Sequence, residues 1–498
     1  MPLHEVSPSL PIPSDSGDGA GHRCDVVVAQ AESPGPPPLR SVDDLLVRRL
    51  IELTDEDPEL WTSKGRNRRD DVHSIFSYPA MMVPKVQRAL IDAVLSVQPG
   101  VRTLYDPFVG AGTSLVAAMP LGLDCYARDI NPLAVLVSRV KTGPYHHEAF
   151  ARHARLVVAA ANGDTSREVL TEFGNCEKWF KPRVVRELSR LRRAIRAVAN
   201  RAARRFLWVT LAETVRLTSN DRLSTFKLHA RPLDEIKQRD PSPIKTFGEL
   251  AARHVDDLKG FCALLQGGDL QDRGRYSGAV SIALGDALSD LPPGFAPTGG
   301  FDLLVTSPPY GDNHTTVPYG QHAFLPLQWI DLDGIHDDVD ATCLRTTQEI
   351  DRRSLGGTKA DELETDTAAL CAQSDALART VERLRSAPPD RVARVVSFYA
   401  DLRRALVHAV ASLRPNAYLV FTVGNRRVGK GEVPNDEILT DLLRHLGVVK
   451  VTEIEREIVQ KRMPSRNGIT DTMRKEDILI YRREAATGTS LRPPRRTA

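Results

Sequence analysis

The sequence predicts an α/β protein: a doubly wound, mainly parallel sheet that closes with an antiparallel hairpin and carries two helical insertions. Apolar runs of strand length alternate with stretches of helical periodicity, the pattern of repeated βα units. Two of those runs end in corners built from glycine or proline, as strand ends facing a crevice do. A final pair of runs, around residues 449–458 and 478–482, reads as the hairpin.

Residues 1–40 are rich in Pro, Ser and Gly, including Pro34-Gly35-Pro36-Pro37-Pro38, and hold too little apolar surface to order themselves, so a disordered leader is expected. From Ser41 the periodic Leu45, Leu46, Leu50, Ile51 and Leu53 predict an amphipathic helix, and Lys64-Gly65-Arg66-Asn67-Arg68-Arg69 follows as a basic loop. Core strands are expected at 103–106, 124–129, 280–284, 302–306 and 418–423, with helices at 84–95, 114–120 and 401–413. Residues 41–147 then hold the N-terminal helix and the first half of the core, 276–319 its middle and 396–484 its last part, with a disordered tail over 485–498. Two segments are not needed to close the sheet. Residues 148–275 look helical from their Ala/Arg/Leu/Val periodicity, and 320–395 include a polar helix over 361–386. As insertions beside the crevice they are candidates for target recognition, for a lid or for a dimer surface.

The bulk properties narrow the function. With 41% hydrophobic and 26% charged residues among 498, the composition is that of an ordinary soluble protein. No continuous apolar stretch is long enough to cross a bilayer and the amino terminus lacks a basic-then-apolar signal, so no membrane and a cytoplasmic location are expected. Six cysteines are scattered without a Cys-x-x-Cys pair, which points to neither a zinc site nor a disulfide framework, and no metal is expected.

A net charge of +3 predicts no nucleic-acid partner, but its distribution does. From Lys181 through Arg205, ten basic residues at helical spacing oppose Val185, Leu188, Leu191, Ile195 and Val198. A solvated helix face would look the same; a phosphate-contacting face is the sharper reading, with Arg186, Arg190 and Arg193 as its candidates. Arg222, with Ser219 and Ser224, and Lys461 and Arg462 in the hairpin loop are further candidates. Trp179, Phe180 and Trp208 are expected in the core.

Two corners carry the chemistry. Asp106-Pro107-Phe108-Val109-Gly110-Ala111-Gly112-Thr113 follows an apolar stretch and runs into Ser114-Leu115-Val116, a strand, glycine turn and helix. Gly110 and Gly112 permit backbone angles and a close ligand approach that side chains would forbid. The dinucleotide fingerprint is not completed, since Leu115 holds its last position, and no Gly-Lys-Ser/Thr follows, which excludes a nucleoside-triphosphate loop. Asp129 fits an acid that takes ribose hydroxyls at the end of the second strand.

The second corner, Thr306-Ser307-Pro308-Pro309-Tyr310, ends another apolar run. Successive prolines remove N–H donors and fix the backbone so that carbonyl oxygens can face a ligand. An exocyclic base amine is poorly nucleophilic, and its transition state needs acceptors around a positively charged tetrahedral nitrogen. Ser307 and the Pro308 carbonyl would accept its hydrogens, and Tyr310 offers a flat face for a base swung out of the helix. A rigid loop or polyproline ligand is the alternative for Pro-Pro-Tyr, and a position directly after a buried strand argues against it. No strong base is required, because the amine proton becomes acidic once nitrogen is alkylated; His314 reads as a loop or substrate contact.

Together the two motifs resemble those of the amino-group DNA methyltransferases, S-adenosylmethionine enzymes that methylate cytosine N4 or adenine N6. Phe76-Ser77-Tyr78-Pro79-Ala80-Met81-Met82-Val83-Pro84 is similar to the segment that, in that family, closes over the methionine part of the cofactor. Asp129-Ile130-Asn131-Pro132 resembles the acidic end of the second strand and Gly285-Asp286-Ala287 the third cofactor motif. The likeness covers roughly residues 70–145, 278–319 and 396–483. It implies a Rossmann-like class I methyltransferase sheet, S-adenosyl-L-methionine as cofactor, and double-stranded DNA with a flipped target base as partner.

The cofactor-binding residues implied are Tyr78, Pro79, Asp106, Pro107, Phe108, Gly110, Gly112, Thr113, Asp129, Asn131, Asp286 and Thr306. Asp106 and Phe108 would lie near the amino-acid moiety and sulfonium, and Asp286 would accept from the adenine amine. The catalytic residues implied are Ser307, Pro308, Pro309 and Tyr310. A serine before Pro-Pro resembles the cytosine-N4 enzymes, whereas Asp or Asn there is more usual among adenine-N6 enzymes, although many cytosine-N4 enzymes carry the two motifs in the reverse order. Cytosine-N4 methylation is the expectation and adenine N6 the alternative, in a restriction-modification or phage-defence system with a separately encoded restriction endonuclease. An RNA methyltransferase of the tRNA guanine-N2 type shares a similar Asp-Pro-Phe glycine motif but usually shows Asp-Pro-Pro-Tyr. A non-catalytic nucleic-acid-binding protein would not need residues 307–310 intact.

Overall fold

Strand pairing divides the chain into one large sheet and two small ribbons. The computed structural model describes residues 26–28, 41–62, 71–358, 362–429, 431–457 and 475–485. Its strands are β1 (Val26–Val28), β2 (Thr103–Asp106), β3 (Asp124–Asp129), β4 (Gln271–Asp272), β5 (Arg275–Tyr276), β6 (Val280–Leu284), β7 (Phe301–Thr306), β8 (Leu413–Val423), β9 (Arg426–Val428), β10 (Gly431–Val433), β11 (Val448–Glu457) and β12 (Lys475–Arg483). Eight of them form the main sheet in the order β1-β11-β12-β8-β7-β2-β3-β6, while β4 pairs with β5 and β9 with β10. From β6 to β8 the pairings are parallel; β8, β12, β11 and β1 pair antiparallel. The mainly parallel sheet with its terminal antiparallel hairpin is therefore the fold the sequence predicts.

Both faces of the sheet are covered, which is why every residue of β2 and β7 is buried. Because side chains alternate along a strand, Leu104, Leu303, Val305, Val420 and Ile478 enter one core with the helix Pro84–Val97 and the first insertion. Tyr105, Leu304, Leu419, Phe421 and Tyr481 enter the other, with the helices Pro389–Ala411 and Asn435–Arg444.

The chain passes from β2 to β3 and on to β6 at one edge, then returns to place β7 on the other side of β2, with Leu104 opposite Leu303 and Tyr105 opposite Leu304. This reversal makes the β2–β7 junction the switch point, where the carboxyl ends of neighbouring strands diverge and leave a crevice. Side chains pin the junction at both ends. At the far end the buried Asp302 accepts from Thr103 N and Oγ1, each at 2.9 Å; at the crevice end Thr306 Oγ1 donates to Asp106 Oδ1 at 2.6 Å.

Several expectations shift on contact with the structure. Three residues of the expected disordered leader, Val26–Val28, pair with β11, so the leader is not wholly without structure. The rest of that leader, the basic loop 64–69, Lys461, Arg462 and residues 486–498 of the tail lie outside the described residues. The polar helix expected over 361–386 is two helices, Leu363–Cys371 and Asp375–Leu384, because Ser374 accepts from Leu377 N and caps the second. The helix expected at 401–413 begins instead at Pro389, whose preset φ suits a first helical position. Residues 148–275 are largely helical, with Trp208 fully buried and Trp179 and Phe180 nearly so. Among the described residues five cysteines are free thiols, no helix is long and apolar enough to cross a membrane, and no cluster of three metal-ligating side chains occurs.

Candidate active site

An open cleft sits at the switch point, with about 840 Å³ of empty space, part of it continuous with solvent. Both corners reach it. Pro107, Phe108, Gly110 and Thr113 line one wall, Ser307 and Pro309 another, and Tyr78, Pro79, Asp129, Asn131 and Asp286 close it. The glycine turn and the double-proline corner, some 200 residues apart, adjoin because β2 and β7 are neighbours.

The glycine wall is built for close approach. At Gly110 φ is +47°, and a Cβ there would meet the Tyr78 ring at 3.3 Å. Gly110 N donates to Asp129 Oδ2 at 2.8 Å, and Asn131 N donates to Asp129 Oδ1 at 2.9 Å. Burial pushes the Asp129 carboxyl up to about 6, against the lowering pull of those two backbone donors. Asn131 caps the helix Pro132–Lys141 through Leu133 N and turns its amide N–H toward the Tyr78 hydroxyl, 3.2 Å away. Tyr78 in turn stacks on Tyr319, ring centroids 5.9 Å apart. Asp286 stands at the rim, its Oδ1 accepting from Leu288 N.

Asp106 does not face the cleft, contrary to the expectation that it lies near the amino-acid moiety and sulfonium. It is fully buried, with Oδ1 accepting from Thr306 Oγ1 and Phe108 N and Oδ2 from Ser114 Oγ. Burial raises its carboxyl to about 6, offset by those donors. It ties β2, β7 and the following helix together behind the turn. Gly112 and Thr306 likewise stand behind the cleft rather than in its lining, Gly112 as the left-handed residue that starts the helix Thr113–Ala118.

At the other wall Ser307 Oγ donates to the Tyr310 hydroxyl at 3.4 Å, and Tyr310 donates to Glu476 Oε1 at 3.3 Å. Glu476 is held from β11 by the buried Arg456 at 3.5 Å. With its hydrogen committed to Tyr310, the Ser307 oxygen keeps its lone pairs for a donor in the cleft. Neither Pro308 nor Tyr310 belongs to the cleft lining; Tyr310 packs behind Ser307 and Pro309. The loop beyond is locked by the buried pair Arg426–Asp312 at 3.1 Å and by Asn435, which donates to the Tyr310 carbonyl at 2.9 Å. Asn425 accepts from Asp436 N in the first turn of the helix Asn435–Arg444, and His314 lines a separate cavity with Asp312, Gln348 and Arg394.

Over 460 residues, 89% of this chain and 98% of the relative, the chain is 29% identical to the Type II methyltransferase M.MvaI of Kocuria varians. This chain is similar to Type II methyltransferases. A second, M.MjaII of Methanocaldococcus jannaschii, is 30% identical over 80 residues, 16% of this chain and 14% of that one. Two structures of the rRNA methyltransferase aviRa from Streptomyces viridochromogenes cover 82% of the chain and 88% of theirs at 10% and 11% identity, with TM-scores of 0.27 and 0.26. No family model matches the chain.

The basic helix is not at the site. Pro182–Arg196 gives no residue to the cleft lining; it packs on the helix Tyr319–Trp329, and its Arg192 and Arg196 both pair with Asp331 just past that helix. Arg193 is spent on Asp164 at 2.7 Å and on the Glu168 carbonyl, Arg190 is half-buried, and Arg186 alone of the three is exposed. The exposed Arg222 sits differently. Its loop touches the cleft end of the same helix, through Phe226 on His322 and Leu228 N on Gln321.

Sequence reasoning missed five lining residues: Asn313, Tyr319, Ile350, Ser354 and Leu355. The last three come from the second insertion, and no local pattern marks them. Tyr319 and Asn313 follow the proline corner closely, which is the one signal that would have found them.

Proposed function

We propose that this chain is an S-adenosylmethionine-dependent DNA methyltransferase that transfers a methyl group to the exocyclic amine of a flipped base, cytosine N4 in the first instance. One observation carries the reading: the glycine turn after β2 and the Ser-Pro-Pro-Tyr corner after β7 line adjoining walls of one cleft. The similarity to a Type II methyltransferase along nearly the whole chain supports it.

The residues present fit the cofactor. Gly110 brings bare backbone to the cleft beside the Tyr78 ring, which a Cβ would crowd, Asp129 offers a carboxylate for two ribose hydroxyls, and Asp286 stands where an adenine amine would donate. When bound, S-adenosylmethionine supplies an electrophilic methyl on a positively charged sulfur. Phe108 and the Tyr78 segment exclude water from that end of the cleft. Ser307 Oγ, oriented by Tyr310 and Glu476, accepts a hydrogen of the target amine and so favours the charged, tetrahedral nitrogen of the transition state, while Pro308 keeps rigid the corner that presents it. Duplex DNA is the partner, and a separately encoded restriction endonuclease would complete a restriction-modification pair.

Incubation with methyl-labelled cofactor and separate DNA and RNA substrates, followed by nucleoside analysis, tests this. Label in N4-methylcytosine of DNA is expected; N6-methyladenine would overturn the base assignment and label confined to RNA the substrate class. Pro308→Ala or Tyr310→Ala is expected to abolish transfer while cofactor binding stays measurable, and unchanged turnover would remove this corner from the mechanism.

A further inference from the structure

One polar group in the cleft has no counterpart in the motifs. Asn313 is 2% exposed and lines the cleft beside Ser307 and Pro309, yet its Oδ1 has no hydrogen-bond donor. A buried acceptor without a donor is costly, so such a group points to a ligand. Its orientation is chemically determined. The Asn313 amide hydrogen-bonds the Asp351 carboxylate, and a carboxylate only accepts, so the NH2 faces Asp351 and the carbonyl oxygen faces away.

Asp351 is itself fixed. It comes from the second insertion, is fully buried, and accepts from Gly320 N at 2.7 Å and Gln321 N at 3.2 Å at the start of the helix Tyr319–Trp329. That approach needs glycine, since a Cβ on residue 320 would lie 2.8 Å from Asp351 N. An amide whose N–H groups bond a carboxylate is polarised and becomes a stronger acceptor, which favours a charged donor over a neutral one. The same helix presents Tyr319 to Tyr78, and Tyr78 packs on Gly110, so this oxygen belongs to the end of the cleft that the Tyr78 segment closes.

We propose that Asn313, held by Asp351, is a specificity residue that binds an alkylammonium group, the amino end of an adenosyl amino-acid ligand. This rests on the cofactor reading above. Asn313 thereby distinguishes ligands that carry the amino-acid tail from adenosine thioethers that lack it.

Calorimetric binding of S-adenosylhomocysteine and of 5′-methylthioadenosine, which lacks the amino-acid end, to the full chain tests the proposal. Asn313→Ala is expected to weaken S-adenosylhomocysteine by roughly 10- to 100-fold, the range for a hydrogen bond to a charged group, and to leave methylthioadenosine within about twofold. Asn313→Gln, which keeps both an acceptor and the amide donor that Asp351 needs, is expected to restore part of the preference. Equal weakening of both ligands, or of neither, overturns the subsite while leaving the cofactor reading intact. Failure of both ligands to bind the unaltered chain sinks the cofactor reading and this subsite with it. Thermal melting of each variant separates loss of the fold from loss of the contact.

Discussion

Asp129 is the residue whose chemistry is most exposed to test. Burial lifts its carboxyl from the ordinary 3.8 to about 6, so ionising it costs more than in water. A raised acid stabilises the fold in its protonated form, and that contribution is full below about 3.8 and lost as pH rises through about 6. In the proposed complex ribose hydroxyls would donate to the carboxylate and reverse the preference, so binding would release a proton. The affinity for S-adenosylhomocysteine is expected to rise by up to roughly tenfold per pH unit until about 6 and to level off above it, and Asp129→Asn to flatten the curve. Titration calorimetry across that range checks both; a flat profile in the unaltered chain would remove Asp129 from the ribose site.

At the scale of elements, β2 and β7 matter together. Thr306 and Asp302 pin the same strand pair at opposite ends, so two substitutions separate stability from catalysis. Thr306→Val keeps the shape and removes a donor from a fully buried carboxylate, which should cost about 1–3 kcal/mol in denaturant unfolding and also lower turnover, because it frees the crevice end of the junction. Asp302→Asn should cost stability of the same order with cofactor affinity unchanged, since its contacts lie at the end away from the cleft. Equal effects of both on turnover would show that strand pairing, and not the Asp106 clamp, positions the corner.

For the molecule as a whole, the question is which face meets DNA. The basic helix Pro182–Arg196 neutralises much of its own charge through Asp164, Glu187, Asp240 and Asp331, whereas the loop carrying Arg222 and Lys227 borders the cleft with both side chains exposed. Replacing Arg222 and Lys227 with Gln is expected to weaken DNA binding across sequences and to reduce the slope of log affinity against log salt by up to about 2, leaving S-adenosylhomocysteine binding unchanged. Replacing Arg186 and Arg190 should do neither. Filter binding at several salt concentrations decides, and the reverse outcome would return recognition to the basic helix.

Much of the site was legible because strand, turn and helix are local matters. An apolar run ending in Asp106-Pro107-Phe108 with glycines behind it, and another ending in Ser307-Pro308-Pro309-Tyr310, announce two strand ends and their chemistry within a dozen residues each. What they could not announce is adjacency. That β7 lies beside β2, that Asp106 turns inward to Thr306, that Arg193 is consumed by Asp164, and that Asp351 orients Asn313 are all pairings between distant residues. The sequence by itself determined the strand-and-corner alphabet, because φ preferences, missing N–H groups and alternation act over a few residues. Only the tertiary structure decided which acid faces the cleft and which is turned away from it, because burial and partner choice depend on what the fold brings alongside.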